Sequence, residues 1–129
     1  MADKWQAQDA FWNSFGLPAF DDQMVFTEGD EPQYPYITYE SFIGVMDQGT
    51  TLSVNLWYES TAMNAMKQKA DEILQYMQTH KTILAINGGY VWLKVSETVP
   101  FARPFPTGSD DKNKKRILIQ VEAECLTNA

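Results

Sequence analysis

One cysteine and one histidine are all that the chain offers to thiol or imidazole chemistry. A lone Cys125 cannot close an internal disulfide, so nothing asks for an oxidising compartment. Bases are scarce as well. Ten Lys and Arg stand against seventeen Asp and Glu, a net charge of −7. That balance argues against a sequence-independent grip on nucleic acid, which depends on cations displacing counterions from phosphates, and disfavours anionic membrane surfaces by the same repulsion. No apolar run approaches the roughly 18–20 residues of a membrane span. The opening "MADKWQAQDAFW" has no signal-peptide hydrophobic block. The expectation is a soluble, cytoplasmic protein with no membrane partner and no specific nucleic-acid binding.

What the chain does have is apolar and aromatic mass. With 129 residues, 44% of them hydrophobic and 13% aromatic, it can bury one sizeable core. It is read as a single domain over residues 1–129. Residues 3–16 predict a short amphipathic helix, with Asp3 and Gln6 as a capping box and Trp5, Phe11, Trp12 and Phe15 on one side. "GLP" at 16–18 stops it, Gly16 by a left-handed turn. A polar connection from Asp21 to Pro32 carries five acids and no base. Aromatic and β-branched residues then predict a strand from Tyr36 to about Val45, started by Pro35. Within it Ile37 and Tyr39 share one face, Tyr36 and Thr38 the other.

The next segment alternates cleanly: Leu52, Val54, Leu56 and Tyr58 face one way, Thr51, Ser53, Asn55 and Trp57 the other. Between Thr61 and His80 the period becomes helical, with Met63, Met66, Ala70, Ile73 and Met77 on one stripe and Ser60 or Thr61 as cap. Two strands follow, 82–87 and 90–97, joined by a tight turn at Asn87, Gly88 and Gly89. Residues 100–115, rich in proline and then in mixed charge, read as a long loop or arm. The last strand places Ile117, Ile119, Val121, Ala123 and Cys125 on one face and Gln120, Glu122 and Glu124 on the other. The order α-β-β-α-β-β-β predicts an α+β fold: a mostly antiparallel sheet of about four to five strands, with a short N-terminal helix and one main helix packed on one side.

The search for chemistry returns little. His80 falls at the end of the main helix, where a structural capping role is favoured over catalysis. Cys125 lies on an apolar strand face and reads as a buried, inert thiol. The acid groups Asp21–Asp22, Glu28–Asp30–Glu31 and Asp110–Asp111 lack calcium-loop spacing, and solvated loop charge explains them. No catalytic residue, cofactor site or metal site is assigned. Lys112, Lys114, Lys115 and Arg116 hold four of the ten positive charges beside Asp110 and Asp111, a pattern that suits a self-complementary contact between subunits. The residues by themselves indicate a small, non-catalytic interaction protein.

The ordered set "FGLPAF", "YPYITYESF", "TTLSVNLWYESTAMNAMKQKADEIL", "NGGYVWLKVSETVPFARPF" and "KRILIQVEAECLT" resembles the tail terminator, or tail completion, proteins of long-tailed siphovirus-like bacteriophages and prophages, sometimes labelled minor capsid or minor tail components. The similarity runs from about Phe15 to Thr127. It rests on order and spacing, since none of these segments encodes chemistry. The resemblance implies a virion protein assembled in the bacterial cytoplasm: a homo-oligomeric ring, usually a hexamer, on the head-proximal end of the tail tube. Such a ring stops tube polymerisation and provides the joint to the head, with the major tail tube protein and a head-completion or connector protein as partners. Under it, Tyr34, Arg103, Asp110, Asp111, Lys112, Lys114, Lys115 and Arg116 are expected at a subunit or tube interface, and Glu122 and Glu124 facing the channel through which DNA passes. A head–tail connector or head-closure protein is the alternative within phages, and a small metal-dependent enzyme the alternative outside them.

Overall fold

The computed structural model describes residues 4–24, 32–40, 49–80, 82–86, 89–96, 99–106 and 113–127. Its elements, in chain order, are α1 (Lys4–Trp12), continued by a 3-10 turn at Asn13–Phe15, then β1 (Ala19–Asp21), β2 (Tyr36–Tyr39), β3 (Gly49–Glu59), α2 (Met63–Thr79), β4 (Ile83–Ile86), β5 (Gly89–Val95), β6 (Ala102–Phe105) and β7 (Lys114–Thr127). The fold is α+β, as expected. The sheet is larger than expected, with seven strands among the described residues in the order β1-β2-β3-β7-β5-β4 and β6 paired beside β7.

β7 organises this sheet. Along one edge, β3 pairs antiparallel with it from Gly49↔Glu124 to Glu59↔Lys114. Its other edge is divided: β6 pairs over Arg116–Ile119 and β5 over Val121–Thr127. Period-two alternation decides which way each side chain then points. Ile117, Ile119, Val121, Ala123 and Cys125 of β7 are buried with Leu52, Val54, Leu56 and Tyr58 of β3, Ile37 and Tyr39 of β2, and Val91 and Leu93 of β5.

Both helices cover this inner face. α2 presents Met66, Ala70, Ile73 and Met77 of the stripe expected from three- and four-residue spacing to the same core cluster, whereas Met63, expected on that stripe, is exposed at the first position of the helix. α1 and its 3-10 turn contribute Phe11, Trp12 and Phe15, with Phe11 edge-on to both of the others at 4.9 and 5.3 Å between ring centroids. α1 touches both β1 and β4, which end the strand order on opposite sides. The sheet therefore curls around that helix.

Several local expectations are corrected. Trp5 does not join the buried aromatics and is 42% exposed, because burial on α1 begins only at Gln8. α2 has no side-chain cap: a 3-10 turn at Ser60–Ala62 leads into it, and the Ser60 amide donates to the Asn113 carbonyl at 2.7 Å. β1 and β6 are additional strands. β1 follows a turn that Gly16 ends in the left-handed region at φ 86°, after which Asn13 Oδ1 accepts from the Ala19 amide at 2.9 Å. It then runs parallel to β2, the exception in an otherwise antiparallel sheet. β6 lies inside the expected 100–115 arm and contains Pro104, tolerable because β6 pairs on one side only, with β7. Beyond β2, residues 41–48 fall outside the described part, as do Asp3 and the turn residues Asn87 and Gly88.

Since Ile119 is fully buried on the strand that both halves of the sheet share, Ile119→Ala is expected to destabilise the protein by about 2–5 kcal/mol. The check is the urea unfolding midpoint, with exposed Thr50→Ala as a control that leaves it nearly unchanged.

Candidate interaction surface

Among the described residues, no helix packs on the opposite face of the sheet. Register places Tyr36 opposite Trp57, Trp57 opposite Arg116, and Arg116 opposite Phe105, so one cross-strand row spans β2, β3, β7 and β6. Directly opposed residues have Cβ atoms about 4.5–5.5 Å apart, close enough for rings and a guanidinium to meet. Tyr36 stacks on Trp57 at 6.3 Å with planes 20° apart. The Arg116 guanidinium sits 5.4 Å from the Trp57 ring centre and 4.6 Å from that of Phe105. Phe20 of β1 meets Tyr36 edge-on at 6.2 Å, and Arg103 lies over Phe105 at 4.9 Å.

Hydrogen bonds hold this row in place. The Trp57 indole N–H donates to Thr38 Oγ1 at 2.8 Å. Arg116 donates through Nε to the Pro106 carbonyl at 2.7 Å and through Nη1 to Asn55 Oδ1 at 3.3 Å. The guanidinium is thus oriented by neutral acceptors, and partial burial lowers its pKa from the ordinary arginine value. Burial pushes the Tyr36 hydroxyl up to about 12, with nearby Tyr34 adding to the effect. Tyr39, on the inner face, is raised further by burial and by its hydrogen bond to Asp9, 2.7 Å away.

Of the residues expected at an interface, Tyr34, Arg103, Lys114 and Arg116 are brought together here. Tyr34 is 5.2 Å from the Tyr36 ring, and Lys114 Nζ lies 5.9 Å from Tyr34. Lys115 sits on the other side of β7, opposite Tyr58, and lines a cavity of about 450 Å³ between α2 and β6. Among the described residues no acid forms an ion pair with these cations; the pairs are Lys69–Glu72 and Lys94–Glu124. Asp110, Asp111 and Lys112 lie outside the described residues.

Glu122 and Glu124 share this uncovered face but stand apart, with Arg116 and Glu122 about 20 Å apart along β7 at ~3.4 Å per residue. Both acids are held within the sheet. Lys94 Nζ is 2.9 Å from Glu124 Oε2, and Ser96 Oγ donates to Glu122 Oε1 at 3.1 Å. Farther toward the β4 edge, Ile83 and Tyr90 are exposed large side chains on this face.

Neither residue singled out for chemistry takes part. His80 ends α2 as a structural group, its Nδ1 3.1 Å from the Tyr76 carbonyl and its ring stacked on Tyr76 at 4.2 Å. Cys125 is buried. Sequence reasoning missed Phe20, Trp57 and Phe105 as members of the row. The available signal was Trp57 itself, a large indole on the polar side of an alternating strand.

No protein-family model matches the chain, and no curated protein matches it significantly. A solved structure of a protein known only by a sequence identifier superposes with a TM-score of 0.57 at 14% identity, over 96% of this chain and 91% of that one. At that identity the likeness concerns the fold.

Because Arg116 stacks between two rings and donates two hydrogen bonds, Arg116→Ala is expected to cost about 1–3 kcal/mol in urea unfolding. Arg116→Lys should recover only part of that, since an ammonium cannot stack in the same way. The raised Tyr36 pKa stabilises the fold fully below the unfolded phenol value and is lost as pH rises toward about 12. Tyr36→Phe should therefore flatten the alkaline fall in stability over that window, read as the melting temperature against pH.

Proposed function

We propose that this chain is a structural, non-catalytic virion protein: the terminator of a long-tailed phage tail, which assembles as a ring on the head-proximal end of the tube, stops its growth and offers a joint to the head. The observation that carries the interaction reading is the uncovered sheet face, furnished with Phe20, Tyr36, Trp57, Phe105, Arg103 and Arg116. Aromatic residues and arginine are the types enriched where proteins meet. The sequence pattern directs that reading to the phage tail, and an α+β protomer with helices on one face and an open sheet on the other suits a subunit of a ring.

In this reading the row around Arg116 belongs to a subunit or tube contact, and the end bearing Glu122 and Glu124 faces the channel. Lys94 neutralises Glu124, so repulsion of passing DNA comes from Glu122 together with the chain's net charge of −7. No helix of the described residues is long and apolar enough to cross a membrane.

Electron microscopy of lysates from the phage or prophage with this gene deleted tests the proposal. Over-long, headless tubes beside DNA-filled, tailless heads are expected. Tails of normal length with leaking heads would place the protein on the head side instead, and normal virions would remove it from assembly altogether.

A further inference from the structure

Two cavities adjoin along β6. One, of about 450 Å³, is lined by Tyr58, Met63, Lys67, Phe105, Lys115 and Arg116 among others. The second, about 330 Å³, shares Lys67 and Pro104 with it and adds Arg103, Ala102, Ile117 and Asp71. Together they make a groove between α2 and β6 whose lining, among the described residues, holds Lys67, Arg103, Lys115 and Arg116 with one acid, Asp71. In a molecule of net charge −7, that is the opposite sign to the whole. The floor includes apolar surface, and Met63 is 36% exposed. A groove of this chemistry fits an acidic segment that also carries apolar side chains.

The chain itself contains such a segment. Residues 21–31 read "DDQMVFTEGDE", five acids and no base around a central Met-Val-Phe. Met24 is 52% exposed on its own subunit. This stretch leaves β1 at Asp21 and the chain returns in β2 at Tyr36, so both ends are anchored on the β1–β2 edge. The groove lies beyond β7, four strand steps away in the order β1-β2-β3-β7-β6. At ~4.8 Å per step that is an arc of about 19 Å. The strand from which the stretch departs and the strand that walls the groove are thus different parts of the sheet, and a contact between two different patches is the kind by which copies join head to tail and a ring closes.

We infer that the α2–β6 groove is the acceptor for the acidic 21–31 stretch of a second copy of this chain. The inference rests on the ring proposed above and specifies its contact: carboxylates of one subunit against Lys67, Arg103, Lys115 and Arg116 of the next, with the apolar centre of the stretch over Met63 and Phe105. Long-range attraction between the acidic and basic edges sets the order of approach, and the apolar contact holds it.

The test is fluorescence anisotropy of a labelled synthetic peptide, DDQMVFTEGDE, titrated with the full-length protein. Saturable binding is expected, weakening as salt rises from about 0.05 to about 0.5 M. The double variant Lys67→Glu/Arg103→Glu alters two exposed side chains and should keep its melting temperature. It should lose at least about tenfold in affinity for this peptide and take up the version in which every acid is replaced by lysine, because the charges of both partners are then exchanged. Absence of binding up to about 1 mM peptide, equal binding by the folded double variant, or tighter binding of a single-stranded oligonucleotide at the groove would each overturn the inference. Its failure is separable from that of the terminator reading. Peptide binding with normal tails in the deletion phage would leave the contact standing and remove the terminator role, whereas over-long tails without peptide binding would do the reverse.

Discussion

Every layer of this protein depends on β7 being paired along both edges. Antiparallel pairing with β3 runs from Gly49 to Glu59, while β6 and β5 divide the other edge between them. A strand so enclosed has its backbone groups committed to neighbours, and its register fixes the register of the strands on both sides. One consequence is the core: a row of five buried side chains from Ile117 to Cys125, each flanked by buried residues of β3 or β5. A slip of one residue would turn those apolar groups outward and bring Arg116, Glu122 and Glu124 into the core.

The same register builds the outward face. Trp57 and Phe105 are far apart in sequence, yet both sit directly across from Arg116 because β7 holds β3 and β6 in place. The guanidinium between the two rings makes no ion pair with a described acid and is instead oriented by the Pro106 carbonyl and the Asn55 amide oxygen. A cation held this way keeps its positive field available to another molecule. Glu124 and Glu122 at the other end, by contrast, are engaged by Lys94 and Ser96. The cation-bearing end is therefore the part of the face suited to recruit an acidic partner, whereas at the other end Lys94 neutralises Glu124 and Glu122 keeps its charge.

Elements with strong periodicity were readable from the sequence. The alternation of β3 and β7 and the helical stripe Met66, Ala70, Ile73 and Met77 each repeat often enough to specify both the element and its buried side. β1 and β6 were not readable, because three or four residues contain too little periodicity, and each exists through a tertiary partner: β2 and the Asn13 turn for one, β7 for the other. The candidate site divides similarly. Tyr34, Lys114 and Arg116 stood out by composition and proximity in sequence, whereas Phe20, Trp57, Phe105 and Lys67 join them only through strand register and helix placement. His80 and Cys125, the residues with the most reactive side chains, have structural positions, as their places at a helix end and on an apolar strand face suggested.

The central claim is that the surfaces left open by β7 and its neighbours are closed by other subunits when the protein assembles. Hydroxyl-radical footprinting read by mass spectrometry, on the free protein and on purified tails, measures this at Trp57 on the sheet face and Met63 in the groove. The account predicts that both oxidise readily in the free chain and become strongly protected in tails. Equal oxidation of both residues in the two states would contradict it.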